Sequence, residues 1–206
     1  MTHFTVGIIL PNNIADPVSY IANVMEPYLE HSDAAPYVCY SLEQAEQDIA
    51  DTIHRFDLIV RRNDPHYNIE KCKQHLAEMR RMTPQEKYAE YLKCHDRFNG
   101  SGEPISTYNQ DSKWDWYVIG GRWDGWINDR KAMHESLVAN TALTEEAIAR
   151  KKIPHAIITP DGQWFEHGLM GWWAVLITEN ERWESDATEL LTQYPNHNIV
   201  IVDAHI

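Results

Sequence analysis

Between Lys113 and Trp126 the chain reads KWDWYVIGGRWDGW, with four Trp, one Tyr, three Gly, one Lys, one Arg and two Asp in fourteen residues. Indole and phenol rings offer flat apolar faces with a polar edge. Ligand pockets combine such rings with a few convergent polar groups. Gly120 and Gly121 allow a turn with positive φ or a close approach of the backbone to another group. Arg122 can stack on an aromatic face or grip a carboxylate or phosphate through its planar fork. The expected ligand-binding residues are therefore Lys113, Trp114, Trp116, Tyr117, Gly120, Gly121, Arg122, Trp123 and Trp126. The competing reading is structural, because Trp is mostly a core residue and an Arg122–Asp pair can lock a turn. The segment has no Gly-Lys-Ser/Thr ending, so it is not a phosphate-binding P-loop.

A second, looser set has the chemistry of a metal or acid–base site. Asp203 and His205 stand two apart on an expected strand, so their side chains share one face. If that strand pairs antiparallel with the first, His3 comes beside His205. Glu166 and His167, at the end of an expected hairpin, can join them. Three imidazole and carboxylate ligands suit an open Zn or Fe centre. The alternative is hydrogen-bonded terminal residues, since eleven His in one chain produce chance clusters. No G-x-S-x-G elbow is present. Cys39, Cys72 and Cys94 are odd in number and widely spaced, which predicts small buried apolar side chains in a reducing compartment. No cofactor is assigned by any of these patterns.

The elements that must position these residues follow from the apolar pattern. Phe4 to Leu10 is apolar and β-branched on both faces, which predicts a central strand. Asp16-Pro17 predicts a helix start with Asp as N-cap, and Ile21, Val24, Met25 and Tyr28/Leu29 give that helix its stripe. Ser41 with Gln44, and Thr83 with Glu86, are capping boxes. With residues 69–82 they predict a helical block over 41–98, closed by Asn99-Gly100-Ser101-Gly102. Trp114–Gly120 reads as a strand, 140–152 as a short helix or loop, and HAIITPDGQWF as a hairpin turning at Pro160-Asp161-Gly162. Trp172–Thr178 reads as a further strand, ERWESDATELLTQYP as an amphipathic helix, and NIVIVDAHI as the last strand. This order predicts a single α+β domain over 1–206, an elaborated ferredoxin-like sandwich with helices on one face of an antiparallel sheet and 41–98 inserted in it. Trp164, Trp172, Trp173 and Trp183 are candidates to join the same aromatic mass.

The net charge of −13 predicts no direct binding to nucleic acid or anionic membrane, which it repels. The charge is uneven: residues 1–60 hold nine acids against Arg55, and 61–99 hold nine Lys/Arg against six acids. A helical surface paired with itself and with water accounts for the second stretch. The start MTHFTVGIILPNNIADP lacks a basic region and a long apolar run, so a cytoplasmic protein without a signal peptide is expected.

The string SKWDWYVIGGRW, with EPYLEHSDAAPY earlier and IVIVDAHI at the end, resembles a family of uncharacterised bacterial and bacteriophage proteins. That family has a KWDWY-x-IGGRW core, an acidic PY segment and a VD-x-HI terminus. The resemblance extends over most of the chain and implies no established activity. Three functions are therefore expected as alternatives. The first is a non-catalytic binding or regulatory protein whose aromatic-glycine segment recognises a small molecule or protein. The second is an enzyme acting on a nucleotide or another phosphorylated small molecule, with Lys113 and Arg122 holding the anion and Asp203 and His205 supplying acid–base or metal chemistry. The third is an acidic phage or mobile-element protein that occupies a basic host surface.

Overall fold

The structure, a computed structural model, describes residues 3–63, 65–130, 136–168 and 179–206. The chain divides into two compact units, Met1–Asp33 with Tyr108–Ile206, and Ala34–Thr107. The expected helical block, 41–98, falls within the second.

The first unit is organised around two strands, β1 (His3–Ile9) and β8 (Asn198–His205). They pair antiparallel from His3↔His205 to Ile9↔Ile199. Val6, Ile8, Ile9, Ile199, Val200, Ile201 and Val202 are all fully buried. Both strands are apolar on successive residues, so each must be covered on both sides, which places them centrally in the sheet. β4 (Trp116–Ile119) and β5 (Thr141–Leu143) add to β8. On the other side of β1 lies β6 (Ala156–Ile158), followed by its hairpin partner β7 (Trp164–Glu166).

Three features differ from the sequence expectation, the first being that Thr141–Leu143, in the stretch 140–152 expected as a short helix or loop, forms β5. The sheet is mixed and not antiparallel, because β1 and β6 run parallel. The hairpin presents its first strand to β1, and an antiparallel sheet needs its second strand there. Helices also cover both faces rather than one. α1 (Pro17–Met25) packs Ile21 and Met25 on Phe4, Val6, Ile8, Val200 and Val202. α5 (Thr144–Ala149) and α6 (Trp183–Thr192) pack Ala147, Ala187 and Leu191 on Ile9, Ile157, Ile199 and Ile201. Burying one Ile or Leu side chain contributes about 1.5–3 kcal/mol, so leaving either face of β1 and β8 open would forfeit several such terms.

Local chemistry sets the helix ends as read. Asp16 caps α1 by accepting from the Ser19 amide at 3.1 Å. In the second unit, Ser41 and Gln44 form the capping box of α2 (Leu42–Arg62), and Thr83 and Glu86 that of α4 (Pro84–Lys93). α3 (Ile69–Met79) buries Cys72, Leu76 and Met79. A two-strand ribbon, β2 (Tyr37–Val38) with β3 (Ile105–Ser106), completes that unit. The expectation of buried cysteines holds for Cys72, whereas Cys39 is half-buried and Cys94 exposed. The strand expected at Trp172–Thr178, with Trp172 and Trp173, lies outside the described residues. Among the described residues no helix is long and apolar enough to cross a membrane.

Candidate functional site

The aromatic-glycine segment is divided by the sheet rather than gathered into one surface. Lys113 and Trp114 reach the strand edge along residues 28–30, where the Lys113 amide donates to the Tyr28 carbonyl at 2.7 Å. The buried Asn109 donates to the Pro27 and Leu29 carbonyls at 2.7 and 3.0 Å and pins that crossing. Trp114 is 6% exposed, and its Nε1 donates to the Met25 carbonyl. Tyr117 and Ile119 pack on the same α1 side of the sheet. Trp116 emerges on the opposite side, because neighbours along a strand point to opposite faces. After the turn, Trp123 and Trp126 are partly buried against the α5/α6 core. Trp164 packs on the α1 side and Trp183 on the α6 side.

This removes several residues from the expected ligand set. Trp114 is sealed. Lys113 is not a free anion anchor, since its ammonium lies 2.8 Å from Glu166, which also accepts from Trp164 Nε1. The double glycine serves packing. A Cβ on Gly120 would lie 2.3 Å from the Asn140 amide nitrogen, and one on Gly121 2.5 Å from the Asp203 carboxylate. Asn140 is fully buried, accepts from the Gly125 amide and donates to Asp124, so it organises the turn from below. Trp123 Nε1 is buried without a hydrogen-bond partner among the described residues.

The remaining residues come together at one end of the sheet. His3, Trp116 and His205 are cross-strand neighbours on β1, β4 and β8. A carboxylate only accepts, so each imidazole must donate through Nδ1: His3 to Asp203 at 2.9 Å and His205 to Asp115 at 2.6 Å. Asp203 is 1% exposed and also accepts from the Arg122 amide at 2.9 Å, a contact the glycines permit by letting the backbone approach. The indole of Trp116 stacks on His205 at 5.1 Å and 16°, and His3 meets both rings edge-on. Trp116 remains 44% exposed. His205 Nε2 is buried and meets no hydrogen-bond partner among the described residues.

The expected metal set therefore assembles in space but not as a ligand triad. Among the described residues no group of three His, Cys, Asp or Glu is arranged to hold a metal. Each carboxylate is taken up by a different imidazole, and the two rings stand edge to face at 5.0 Å. Glu166 and His167 do not join: Glu166 belongs to Lys113, and His167 lies 3.6 Å from Glu179. Two partners were missed from sequence. Asp115 stood inside the segment but was not singled out, although a carboxylate between two Trp at a strand start was a signal. Asn140 had none.

Electrostatics beside the site are set by burial. The His155 pKa is lowered from the ordinary imidazole value, first because burial penalises its cation and then because His167 adds positive charge, with Glu166 opposing. The unfolded chain accordingly takes up the proton first, and stability should decline as pH falls below about 6.5. His155→Gln, which cannot titrate there, is expected to give a flatter unfolding profile between about pH 7 and 5. Parallel profiles for the two chains would exclude His155 as the source.

Fold and site together define a mixed-sheet α+β protein with two carboxylate-held imidazoles under a half-exposed indole. No protein-family model, curated protein or solved structure matches the chain.

Proposed function

We propose that the protein is a non-catalytic binding or regulatory protein whose recognition surface is the sheet end formed by Trp116, His205 and His3, with Arg122 beside it. The observation that carries this reading is the state of Trp116. Its ring is 44% exposed, yet its orientation is fixed by stacking on an imidazole that Asp115 holds. A fixed aromatic face loses little conformational freedom on binding, so more of the stacking free energy reaches affinity. Arg122 supplies the complementary charge: it is exposed, its backbone is anchored at Asp203, and among the described residues it meets no carboxylate. A planar molecule with an acidic group fits both.

The test is an NMR titration of the full chain with nucleoside monophosphates and planar aromatic carboxylates, read at the Trp116 indole and His205 imidazole signals. Trp116→Ala is expected to stay folded and to weaken binding at least tenfold, which is about 1.4 kcal/mol. Unchanged affinity in that variant, or shifts confined to other residues, would falsify the assignment.

One observation favours the enzyme reading as a second choice. A carboxylate that fixes Nδ1–H leaves Nε2 as a base, the arrangement used in general acid–base catalysis. Recovery of the bound probe unchanged after long incubation supports binding alone, whereas a converted product supports the enzyme.

A further inference from the structure

The face of β1 that carries His3 continues to Thr5, which stands opposite Asp203 in the β1–β8 register. Beside Thr5 opens a cavity of about 460 Å³, within the range of small-molecule sites. Its walls come from the end of α5, the start of β6 and the first turn of α6. The side chains that matter are Thr5, Lys151, His155, His167, Trp183 and Glu184.

Lys151 occupies a position that favours glycine. α5 ends at Ala149, and the chain closes it with the Lys151 amide donating to the Ile148 carbonyl and the Lys152 amide to the Ala147 carbonyl. This closure puts Lys151 at φ +55°, the left-handed region that costs an L residue and that helices usually assign to Gly at this point. Both neighbours are engaged elsewhere, since Arg150 and Lys152 share Asp129 at 2.9 and 3.5 Å. Lys151 makes no ion pair among the described residues. Glu184, on the first turn of α6, makes none either. A cation and an anion thus line one cavity without reaching each other.

Between them the surface is fixed and of mixed polarity. Trp183 is held by its Nε1 donating to the Pro154 carbonyl at 2.9 Å, and His167 stacks on it at 22°. Thr5 Oγ1 already accepts from the His155 amide, so its own hydrogen is free to donate. An unpaired cation, an unpaired carboxylate, a hydroxyl donor and an aromatic plate are complementary to a small molecule with both charges and an apolar side group.

We infer that this cavity binds a zwitterion of the α-amino acid class, its carboxylate on Lys151 and the Thr5 hydroxyl, its ammonium on Glu184, and its side group against Trp183. This site goes beyond the recognition surface at the sheet end and uses none of its side chains. Calorimetric titration of the full chain with the standard L-amino acids tests it, with L-phenylalanine as the reference aromatic member. L-phenylalaninamide, lacking the carboxylate, and 3-phenylpropionate, lacking the ammonium, serve as charge-deleted probes.

At least one amino acid is expected to bind. For L-phenylalanine each deleted charge is expected to weaken binding at least tenfold. Lys151→Gly, which suits the left-handed backbone and so keeps the fold, should lose that tenfold for the amino acid while leaving the amide unaffected. Glu184→Gln should do the same with respect to 3-phenylpropionate. Trp116→Ala should leave amino-acid binding intact, which separates this site from the sheet end. The inference is overturned if no amino acid binds, if the three phenyl probes bind alike, if either charge variant binds as the parent does, or if Trp116→Ala abolishes binding.

Discussion

A Gly121→Ala chain is expected to lose about 3 kcal/mol of folding free energy, which lowers Tm by roughly 6–12 °C in a chain of this size. Position 121 has φ +53°, and a Cβ there would lie 2.5 Å from Asp203 Oδ2, 2.6 Å from Asp203 Cβ and 2.7 Å from Val118 Cγ1. The left-handed backbone costs an L residue about 1–2 kcal/mol, and forcing a methyl into packed surroundings costs about 1–3 more. Asp203 cannot yield cheaply, because its two oxygens are committed to His3 and to the Arg122 amide. Gly162 is the control. It has φ +83°, but nothing lies within 4 Å of its Cβ position, so Gly162→Ala should incur only the backbone cost. Denaturant unfolding of both variants isolates the packing contribution. Equal losses would show that close approach to Asp203 is not what position 121 requires.

Asp203→Ala should be as damaging, at about 3 kcal/mol or more. The carboxylate is 1% exposed, and its removal leaves the His3 Nδ1–H and the Arg122 N–H buried or half-buried without an acceptor. Each orphaned donor costs about 1–3 kcal/mol. Asp203→Asn keeps the shape but turns an –NH2 toward one of two donors, so it should retain only part of the stability. The same change releases His3 from its fixed orientation, and its imidazole resonances should broaden or shift while those of His205, held by Asp115, stay in place. A loss below about 1 kcal/mol would mean that water replaces the carboxylate, and the cluster would then be looser than its distances imply.

These two positions also mark where sequence reading succeeded and where it stopped. Elements with a local cause were legible. Asp16 before Pro17, Ser41 with Gln44, and Thr83 with Glu86 each place an oxygen within reach of amides three residues away, so the helix starts are written in neighbouring residues. The hairpin turning at Pro160-Asp161-Gly162 follows from the same kind of short-range chemistry. The two-faced apolar runs at 4–10 and 198–205 identify the central strands, and their antiparallel pairing brings His3 to His205 as the strand pattern predicts. β5, three residues long, was too short to give a periodicity of its own.

The parallel β1–β6 pair was not legible, because which strand of a hairpin docks against a distant partner depends on how the whole face is covered, not on the hairpin residues. For the same reason the density of Trp around Gly120-Gly121 suggested one aromatic surface, whereas strand alternation sends Trp116 and Tyr117 to opposite sides, and Trp114, which precedes the strand, is buried on the side of Tyr117. Residue order determined the secondary elements and the chemistry available at each position. Tertiary structure decided which carboxylate each imidazole received, that Lys113 was matched by Glu166, and that Trp116 alone of its strand kept an exposed ring. Hydrogen bonds and ion pairs act over a few ångströms, while the partners here lie 53 to 200 residues apart in the chain, so only the folded sheet could choose among them.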